Sequence, residues 1–357
     1  SFNNIQDIDL KDILNEHFNI EQFRSYQKMA IQYILEKEST LLILPTGSGK
    51  SLCYQLPALL LPGICLVVSP LISLMQDQCN QLPSCLPGVV WSSYKTEQEV
   101  IELMSQIRRF QVKILYVSPE KVLSSSFQRF INNLSNPGIS FVCIDEAHCI
   151  SEWSHNFRPA FKRLQFILLQ QLNISCILAL TATATLATQL QIQESLQIKH
   201  VLKDTSRRSN LIITSSRDDD KLIALINLLQ TQPYQNFLSN YKKKTKNKKK
   251  RENVHLKGGV IIYVNYRREA DELSNRIASE GYRSDSYHSG KTAYTRQSIM
   301  KKFMKDNLQI IVATIAFGMG VNKINVRSVI HYTMPDSIER YIQEIGRAGR
   351  DGLIAYC

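Results

Sequence analysis

Residues 40–51 read TLLILPTGSGKS, an apolar run of strand length that passes through a glycine-bearing loop into the start of a helix-forming segment. This order of elements points backbone N–H groups and the positive end of a helix at one spot, which suits the phosphates of a nucleotide. Lys50 is placed to reach the β and γ phosphates, and the Ser51 hydroxyl is placed to hold magnesium.

The candidate phosphate loop departs from the strict pattern G-x-x-x-x-G-K-[ST] at its first position, where Leu44 stands in place of glycine. Thr46, Gly47, Ser48 and Gly49 complete the loop before Lys50. An ordinary glycine turn in front of a helix is the alternative interpretation, and it weakens once a second site is found downstream.

Further apolar runs follow along the chain in two groups, which a long gap divides. Polar turns and helical patterns separate the runs within each group. The pattern predicts βαβ units around parallel sheets covered on both faces. It stops after Thr181 and resumes at residue 258, which predicts two α/β lobes, 1–206 and 207–357, with a lysine-rich insertion at about 232–257. The predicted strands besides 40–44 are 64–69, 113–118, 140–144 and 175–180, then 258–264, 309–314 and 326–332.

Composition agrees with two domains, because 357 residues that are 44% hydrophobic can form two cores. The formal charge of +12 is weak evidence for a polyanion partner, since the segment from Lys242 to Arg251 alone carries eight basic residues and no acid. That segment resembles a nuclear import signal and predicts a nuclear protein, although a solvated low-complexity insertion is an equal alternative.

The eight cysteines include no C-x-x-C pair, so the sequence predicts reduced thiols in an intracellular protein and no zinc site. Residues 51–76 contain no charged side chain, but Pro57, Pro62, Gly63 and Pro70 divide them into pieces too short to span a membrane. We therefore expect no membrane association.

The second candidate site is Asp145-Glu146-Ala147-His148, directly after the apolar run 140–144. A phosphate-loop ATPase needs a magnesium-directed carboxylate at the end of a neighbouring parallel strand, and Asp145 fits that position. Glu146 is placed to orient or deprotonate the attacking water. Acids at a strand end can be solvated caps, but their pairing with GSGKS favours catalysis.

These segments, with VVSPLISLMQDQ (67–78), LTATAT (180–185), VATIAFGMGVNK (312–323) and QEIGRAGRDG (343–352), resemble the superfamily 2 helicases and within them the RecQ family. The resemblance extends from about Phe18 to Gly352. It implies two tandem RecA-like lobes that use ATP and magnesium. Asn156 and the segment LPSCL are more similar to the Rothmund–Thomson-type branch than to the Bloom or Werner branches.

In HFNIEQFRSYQ, which matches the family's adenine-recognising motif, the resemblance places Arg24 and Gln27 at the base of ATP. A glutamine can bond an adenine edge through both its amide atoms. Asn19 and Ile20 depart from the usual glycine and aromatic residue, which puts a stacking contact on the base in doubt and leaves an apolar contact as its replacement.

The segment HCISEWSHNFRP resembles the RecQ aromatic-rich loop, which contacts single-stranded DNA. Trp153 and Phe157 would stack on bases, an attraction of roughly 1–3 kcal/mol per base, and Arg158 would meet phosphate. Core packing is the alternative for the two aromatics. Three hydroxyl residues resemble positions that hold the DNA backbone, although hydroxyls also cap helices; they are Ser69, Ser118 and Thr314.

Arg347 and Arg350 match the family positions that reach the γ-phosphate, where an arginine finger contributes about 10³ to 10⁵ in rate. Arg350 is the first choice, and an ion pair between the lobes is the alternative role for either arginine. Gln343 and Gly320 are assigned to the same seam.

The sequence therefore predicts the ATP-dependent core of a 3′–5′ DNA helicase, acting on single-stranded and forked or partly duplex DNA in replication, recombination and repair. The direction of movement is implied by the family alone. An RNA-directed helicase of the same superfamily and a non-catalytic nucleic-acid-binding module remain alternatives. Retention of Lys50, Asp145, Glu146 and Arg350 argues against the second of these.

Overall fold

The computed structural model describes residues 9–92, 95–134, 137–151, 159–204, 208–238, 258–317 and 323–357. The chain divides into two compact units, here called lobe 1 (Ser1–Ser206) and lobe 2 (Arg207–Cys357). Each unit is a parallel sheet with helices on both faces, so the predicted α/β class is confirmed.

Lobe 1 is built on seven parallel strands in the order β3-β4-β2-β5-β6-β1-β7. The central strands are buried on both faces, as expected when helices cover a parallel sheet. The strands are β1 (Thr40–Ile43), β2 (Ile64–Val68), β3 (Gly88–Trp91), β4 (Ile114–Val117), β5 (Ile139–Ile144), β6 (Ile177–Thr181) and β7 (His200–Lys203).

Two apolar cores cover the two faces of this sheet. Along β5, Val142 and Ile144 join one core while Phe141 and Cys143 join the other, because successive side chains of a strand point to opposite faces. The helices are α1 (Leu10–Phe18), α2 (Gln27–Leu35), α3 (Leu52–Leu60), α4 (Ile72–Asn80), α5 (Glu97–Arg108), α6 (Pro119–Val122), α7 (Ser125–Asn132), α8 (Pro159–Phe166) and α9 (Leu186–Leu196).

Lobe 2 has six parallel strands in the order β10-β11-β9-β12-β13-β8. They are β8 (Leu211–Ile212), β9 (Gly259–Tyr263), β10 (Ser284–Tyr287), β11 (Ile310–Ala313), β12 (Val326–His331) and β13 (Ala355–Tyr356). The helices are α10 (Lys221–Gln230), α11 (Gln232–Leu238), α12 (Arg267–Ser279), α13 (Ala293–Met304) and α14 (Ile338–Ile345).

Every strand predicted from an apolar run is present, but five others were missed. The expectation that strands stop between Thr181 and residue 257 is wrong, since β7 and β8 lie there. Residues 232–238 form α11, whose Tyr234, Phe237 and Leu238 are buried, so the insertion begins later than predicted. Residues 239–257, including the lysine-rich tract, lie outside the described residues.

All eight cysteines lie in the described residues, and no disulfide joins them. Burial raises the pKa of Cys53 and of Cys176 to about 12, which keeps both thiols protonated at neutral pH. Among the residues that the structure describes, no helix combines the length and the apolar character needed to cross a membrane.

Candidate nucleotide site and nucleic-acid contacts

The phosphate loop continues from the end of β1, where Leu44 N–H donates to the Thr181 carbonyl at 3.1 Å. Gly47 and Gly49 have φ of 80° and 79°, in the left-handed region that glycine adopts without strain. A Cβ on Gly49 would also lie 2.8 Å from Gln27 Nε2. The positive φ therefore favours glycine at position 49, and a larger side chain there would displace the Gln27 amide.

Lys50 lies against its own loop. Its Nζ donates to the carbonyls of Leu44 at 3.0 Å and Pro45 at 3.3 Å. The Ser48 hydroxyl donates to the same Pro45 carbonyl at 2.7 Å. Ser51 precedes α3 and its hydroxyl makes no capping hydrogen bond to that helix. Lys50, which is predicted to bind phosphate, and Ser51, which is predicted to bind magnesium, are thus adjacent residues directly before α3.

Gln27 braces the phosphate loop. It is only 2% exposed, and its Nε2 donates to the carbonyls of Ser48 at 2.9 Å and Gly49 at 3.1 Å. Its Oε1 accepts the Arg24 backbone N–H at 2.8 Å, while the Arg24 side chain is exposed. Both amide hydrogens are therefore engaged with the loop in this structure. The assignment of Gln27 and Arg24 to the adenine stays a prediction.

The two positions that depart from the adenine motif have structural roles in lobe 1. Asn19 ends α1 in the left-handed conformation, with φ of 54°, and its N–H bonds back to that helix. Ile20 packs against the core that contains α2 and β1. Ile20 is thus an apolar side chain beside the motif, and its contact with the base stays a prediction.

Asp145 and Glu146 follow β5 at the carboxyl edge of the lobe 1 sheet. Asp145 N–H continues the ladder to the Val68 carbonyl at 2.9 Å, and its Oδ1 accepts the Glu146 N–H at 3.0 Å. Burial and the neighbouring Glu146 charge raise the pKa of Asp145 to about 6, against the opposing effect of the Lys50 cation and a hydrogen bond from Gln78. The phosphate loop and the acidic pair therefore meet at one edge of one sheet.

His148 connects Glu146 to the end of β6. Its Nδ1 lies 3.4 Å from Glu146 Oε2 and 3.1 Å from Thr181 Oγ1. Because Thr181 Oγ1 donates its only hydrogen to the Thr183 carbonyl at 2.8 Å, His148 Nδ1 must be the donor to Thr181. Glu146 has φ of 54° and ψ of 46°, a left-handed conformation that costs a non-glycine residue about 1–3 kcal/mol.

In lobe 2, Arg208 holds the loop that contains Arg347 and Arg350. Its Nη1 donates to the Gly346 carbonyl at 3.1 Å, and its Nη2 donates to the carbonyls of Ala348 at 2.7 Å and Gly349 at 2.6 Å. A single guanidinium thus bonds three carbonyls of the loop 346–353, here called the arginine loop.

The far half of the arginine loop is held by two more side chains. Asn210 Nδ2 donates to the carbonyls of Gly349 at 2.8 Å and Leu353 at 3.0 Å. Arg327, which is 2% exposed, donates from Nη2 to both carboxylate oxygens of Asp351, at 2.5 and 2.6 Å, and from Nη1 to the Ile354 carbonyl at 3.0 Å. Charge-assisted hydrogen bonds are shorter and stronger than neutral ones, so the Arg327–Asp351 pair holds this end of the loop to β12.

Arg347 and Arg350 belong to a cluster of cations. Arg347 is 7% exposed, and Arg350 is less buried. Burial, Arg347 and Arg208 together lower the pKa of Arg350 to about 10. Cations placed this close are stabilised by an anion such as phosphate. Gln343 lies half-buried on α14, and Gly320 lies outside the described residues.

Glu344 was not identified from the sequence, although it lies within QEIGRAGRDG. It is 4% exposed and accepts hydrogen bonds from His331 Nε2 at 2.8 Å and Arg340 Nε at 3.0 Å. Arg208 and Asn210 were also missed, because the connector TSRRSNL carries no motif that links it to a loop about 140 residues later. Neither the buried ion pairs of Glu344 nor side chains that bond distant carbonyls leave a periodic pattern in the sequence.

The residues assigned to DNA are only partly described. Ser69 is fully buried, and Thr314 is 5% exposed. The Ser118 hydroxyl accepts the Lys121 N–H at 3.3 Å and caps α6, which is the alternative role considered for it. Trp153, Phe157 and Arg158 lie outside the described residues. The assignment of all six residues to DNA stays a prediction.

Comparison with protein-family models gives two matches that cover most of the chain. Residues 24–192 match the DEAD/DEAH box helicase model, and residues 220–352 match the helicase conserved C-terminal domain. The first match contains the phosphate loop and the acidic pair, and the second contains residues 346–352 of the arginine loop. The fold and the site thus define a superfamily 2 helicase core.

Curated relatives narrow this class. The chain is 41% identical to ATP-dependent DNA helicase Q-like 5 of Arabidopsis thaliana, over 98% of this chain and 37% of that protein. It is 37% identical to human ATP-dependent DNA helicase Q4, over 96% and 28%, and 39% identical to Pasteurella multocida RecQ, over 96% and 51%. The chain belongs to the RecQ family of helicases. It spans about half or less of the length of these relatives.

Solved structures agree on the fold. Mycobacterium smegmatis helicase Lhr bound to ssDNA and AMP-PNP matches with a TM-score of 0.68 at 19% identity, covering 95% of this chain and 46% of that one. Saccharomyces cerevisiae Dbp5 bound to RNA and ADP BeF3 matches with a TM-score of 0.68 at 14% identity, covering 95% and 83%. Since one holds DNA and the other RNA, the shared fold does not select the nucleic acid.

Proposed function

We propose that this chain is the ATP-driven motor core of a DNA helicase, which hydrolyses ATP with magnesium and moves 3′ to 5′ along a single strand of forked or partly duplex DNA. The observation that carries the proposal is the meeting of the phosphate loop and the Asp145–Glu146 pair at one edge of the lobe 1 sheet. The similarity to ATP-dependent DNA helicases supports DNA as the substrate.

Phosphate binding falls to the loop between β1 and α3. Lys50 Nζ donates to two carbonyls of its own loop, at 3.0 and 3.3 Å, and these are weaker acceptors than a phosphate oxygen. An incoming nucleotide would therefore draw the ammonium away from Leu44 and Pro45. Gln27 would keep the loop backbone in place during this exchange.

Magnesium fits the oxygen atoms at this site. The Ser51 hydroxyl and the Asp145 carboxylate are hard ligands, and the remaining positions of the ion are normally filled by water and substrate phosphates. The described residues contain no group of three or more His, Cys, Asp or Glu placed to hold a metal ion. When bound, the ion neutralises the phosphate charge.

Glu146 is the residue that we assign to the attacking water. Its left-handed backbone conformation sets the direction of the side chain, and His148 Nδ1 lies 3.4 Å from its Oε2 near the end of β6. A fixed carboxylate orients water and accepts its proton without reorganising during the reaction. His148 is a positioning residue in this scheme, because it acts on Glu146 and Thr181.

Lobe 2 supplies the positive charge that stabilises the transferred phosphoryl group. We assign this role to Arg350 first and Arg347 second, and the arginine loop presents both from a backbone that Arg208, Asn210 and Arg327 hold. The aromatic segment around Trp153 and Phe157 would sense single-stranded DNA. We also propose a role in replication, recombination and repair, which the family resemblance supports, and a nuclear location, which the lysine-rich tract supports.

The test is ATP hydrolysis by the whole chain without nucleic acid, with a 30-nucleotide single-stranded DNA, and with an RNA of the same length. We expect DNA to stimulate turnover at least tenfold over the basal rate and more than RNA does. Stronger stimulation by RNA would identify an RNA-directed helicase. No turnover under any condition, with ATP still bound, would identify a non-catalytic module.

Two variants sharpen this test. Glu146→Gln should bind ATP and lose turnover, because the amide cannot accept the proton of water. Trp153→Ala with Phe157→Ala should keep basal turnover and lose its stimulation by single strands. Equal loss of basal and stimulated turnover in the double variant would indicate that the two aromatics pack in a core.

A further inference from the structure

One face of α13 in lobe 2 forms a groove that none of the predicted sites uses. Six of its lining residues recur at helical spacing and therefore lie on one side of the helix. Together with Asn307 they enclose about 280 Å³, and the six are Tyr294, Gln297, Ser298, Lys301, Lys302 and Lys305. The opposite side packs Ile299 and Phe303 into the core of the lobe.

The groove is positively charged and lacks acids. Lys301, Lys302 and Lys305 are all exposed, and no lining residue is acidic. Lysines in the last turn of a helix are favoured by its dipole, which contributes about 0.3–1 kcal/mol each. Lys301 and Lys305, however, are like charges four residues apart and repel each other. Helix stability alone does not explain three cations in this position.

Helix α12 of the same lobe provides an internal comparison. Its exposed Arg268 pairs with Glu272 at 2.6 Å, and Arg276 pairs with Glu280 at 3.3 Å, each four residues apart. Among the described residues, none of the three groove lysines has such a pair. The surface of α12 is thus neutralised within the helix, whereas the surface of α13 leaves its charge available to an outside partner.

The nearest acid along the chain does not neutralise the groove. Asp306 follows Lys305, but its Oδ1 accepts Lys323 Nζ at 2.5 Å and Asn325 Nδ2 at 3.4 Å. Lys323 is 3% exposed, so Asp306 compensates a buried cation of the lobe. The positive field of the groove therefore extends into solvent.

The helix that carries the groove begins near Thr314, a residue assigned to DNA. Thr314 N–H donates to the carbonyl of Tyr287, the last residue of β10, at 3.2 Å. Because α13 connects β10 to the parallel strand β11, it begins near this carboxyl edge and ends at the opposite edge. From Tyr294 to Lys305 the face is about 16 Å long, at 1.5 Å per residue. Laid along a duplex axis, a face of that length spans about five phosphates of one strand, at about 3.4 Å of axis per phosphate.

We propose that the α13 groove binds the phosphodiester backbone of DNA, as a second contact that continues from the Thr314 edge along the outer face of lobe 2. The three lysines meet phosphates as point charges. Tyr294, which is 83% exposed, and the side chains of Gln297 and Ser298 offer hydrogen bonds to sugar and phosphate oxygens. The choice of DNA rests on the proposed function, while the affinity for a polyphosphate backbone does not.

The experiment measures binding of the whole chain, without ATP, to a fluorescent 30-nucleotide single strand and to a 20-base-pair duplex over a range of salt. The variant is Lys301→Gln/Lys302→Gln/Lys305→Gln. Its matched control is Lys11→Gln/Lys199→Gln/Lys221→Gln, three exposed lysines outside every assigned site. Both carry the same change in charge, and thermal unfolding checks the fold of each.

We expect the groove variant to reduce the magnitude of the log–log salt slope by about 2 on single strands or about 3 on duplex, if each lysine serves one phosphate. A reduced salt slope on the duplex alone would show that the groove contacts double-stranded DNA. A reduced slope on both probes would show that it contacts both forms. A slope equal to that of the control on both probes would overturn the proposal.

ATP turnover separates this outcome from the proposed function. The groove variant should keep its basal rate and its rate at saturating single-stranded DNA, and should need more DNA to reach half-saturation. If the unchanged chain hydrolyses no ATP but the groove variant still loses salt-dependent binding, the motor assignment fails and the groove stands. If turnover is normal and the salt slope is unchanged, the groove alone fails.

Discussion

The two lobes hold their functional loops in different ways. In lobe 1, the phosphate loop is braced by the Gln27 amide, and its cation, Lys50, donates to carbonyls of the same loop. In lobe 2, the arginine loop is held from outside by Arg208 and by the buried Arg327–Asp351 pair. Under the proposed function, the first loop exchanges contacts when phosphate binds, whereas the second is already held in place. Preorganised charge is the more effective form of transition-state stabilisation.

The largest expected effect comes from Arg350. If the arginine loop presents this cation to the phosphoryl group, Arg350→Ala should lower kcat by about 10³ to 10⁵ and leave affinity for a non-hydrolysable ATP analogue nearly unchanged. Single-turnover hydrolysis with DNA and equilibrium binding of the analogue check both parts.

Arg347→Ala is the comparison variant for this prediction. Because Arg347 is 7% exposed, we expect its loss to lower the thermal unfolding midpoint more than the loss of Arg350 does. A greater loss of turnover in Arg347→Ala, with an unchanged unfolding midpoint, would exchange the roles of the two arginines.

Lys50→Ala should lower turnover by roughly 10² to 10³ and weaken ATP binding as well, because the phosphate loop loses its cation in both ground and transition states. Lys121→Ala is the matched control, since Lys121 is a half-buried lysine of the same lobe that lies 4.6 Å from the Trp91 ring. Normal DNA-stimulated turnover in Lys50→Ala would refute the phosphate-site assignment.

Arg208→Lys tests whether the arginine loop needs its external support. An ammonium cannot reproduce the fork that reaches three carbonyls, so a small displacement of Arg350 should cost about 10² in kcat. ATP affinity should not change, since Arg208 lies outside the phosphate loop. Arg217→Lys, at an exposed position of the same lobe, is the control. A rise in KM without a fall in kcat would contradict a positioning role.

Gln27→Ala should have the smallest effect on chemistry and a clear effect on stability. Two loop carbonyls and the Arg24 N–H lose their partner, which should lower the free energy of unfolding by about 1–3 kcal/mol in urea titration. Gln32→Ala, exposed on the same helix, should change it little. If stability is unchanged while KM for ATP rises sharply, base recognition would be the main role of Gln27.

The sequence predicted the fold class and the central strands of both sheets, because buried parallel strands are continuous apolar runs. It missed β10, whose SDSY sequence lies on an edge strand and is only partly buried, and the two-residue strands β8 and β13. Short or polar edge strands are defined by backbone pairing with a neighbour, which no local pattern reveals.

The candidate site shows the same limit. Lys50, Asp145 and Glu146 could be proposed from the sequence because phosphate binding and hydrolysis favour those residue types in the segments that follow parallel strands. Arg208 and Asn210 could not, since their contacts join residues about 140 positions apart, and the role of Gln27 as a brace depends on a helix packing against the loop. The sequence identified candidate residues for the chemistry, and the structure added residues that hold them.

The strand order of lobe 1 also has a consequence for synthesis. Strand β1 pairs only with β6 and β7, which follow it by more than a hundred residues. At a translation rate of about 5–20 residues per second, the apolar strand that carries the phosphate loop waits roughly 7–28 s on the ribosome before its first partner is made. Nascent chains would therefore bind ATP only after β6 has emerged, and until then β1 is a segment for chaperones to protect.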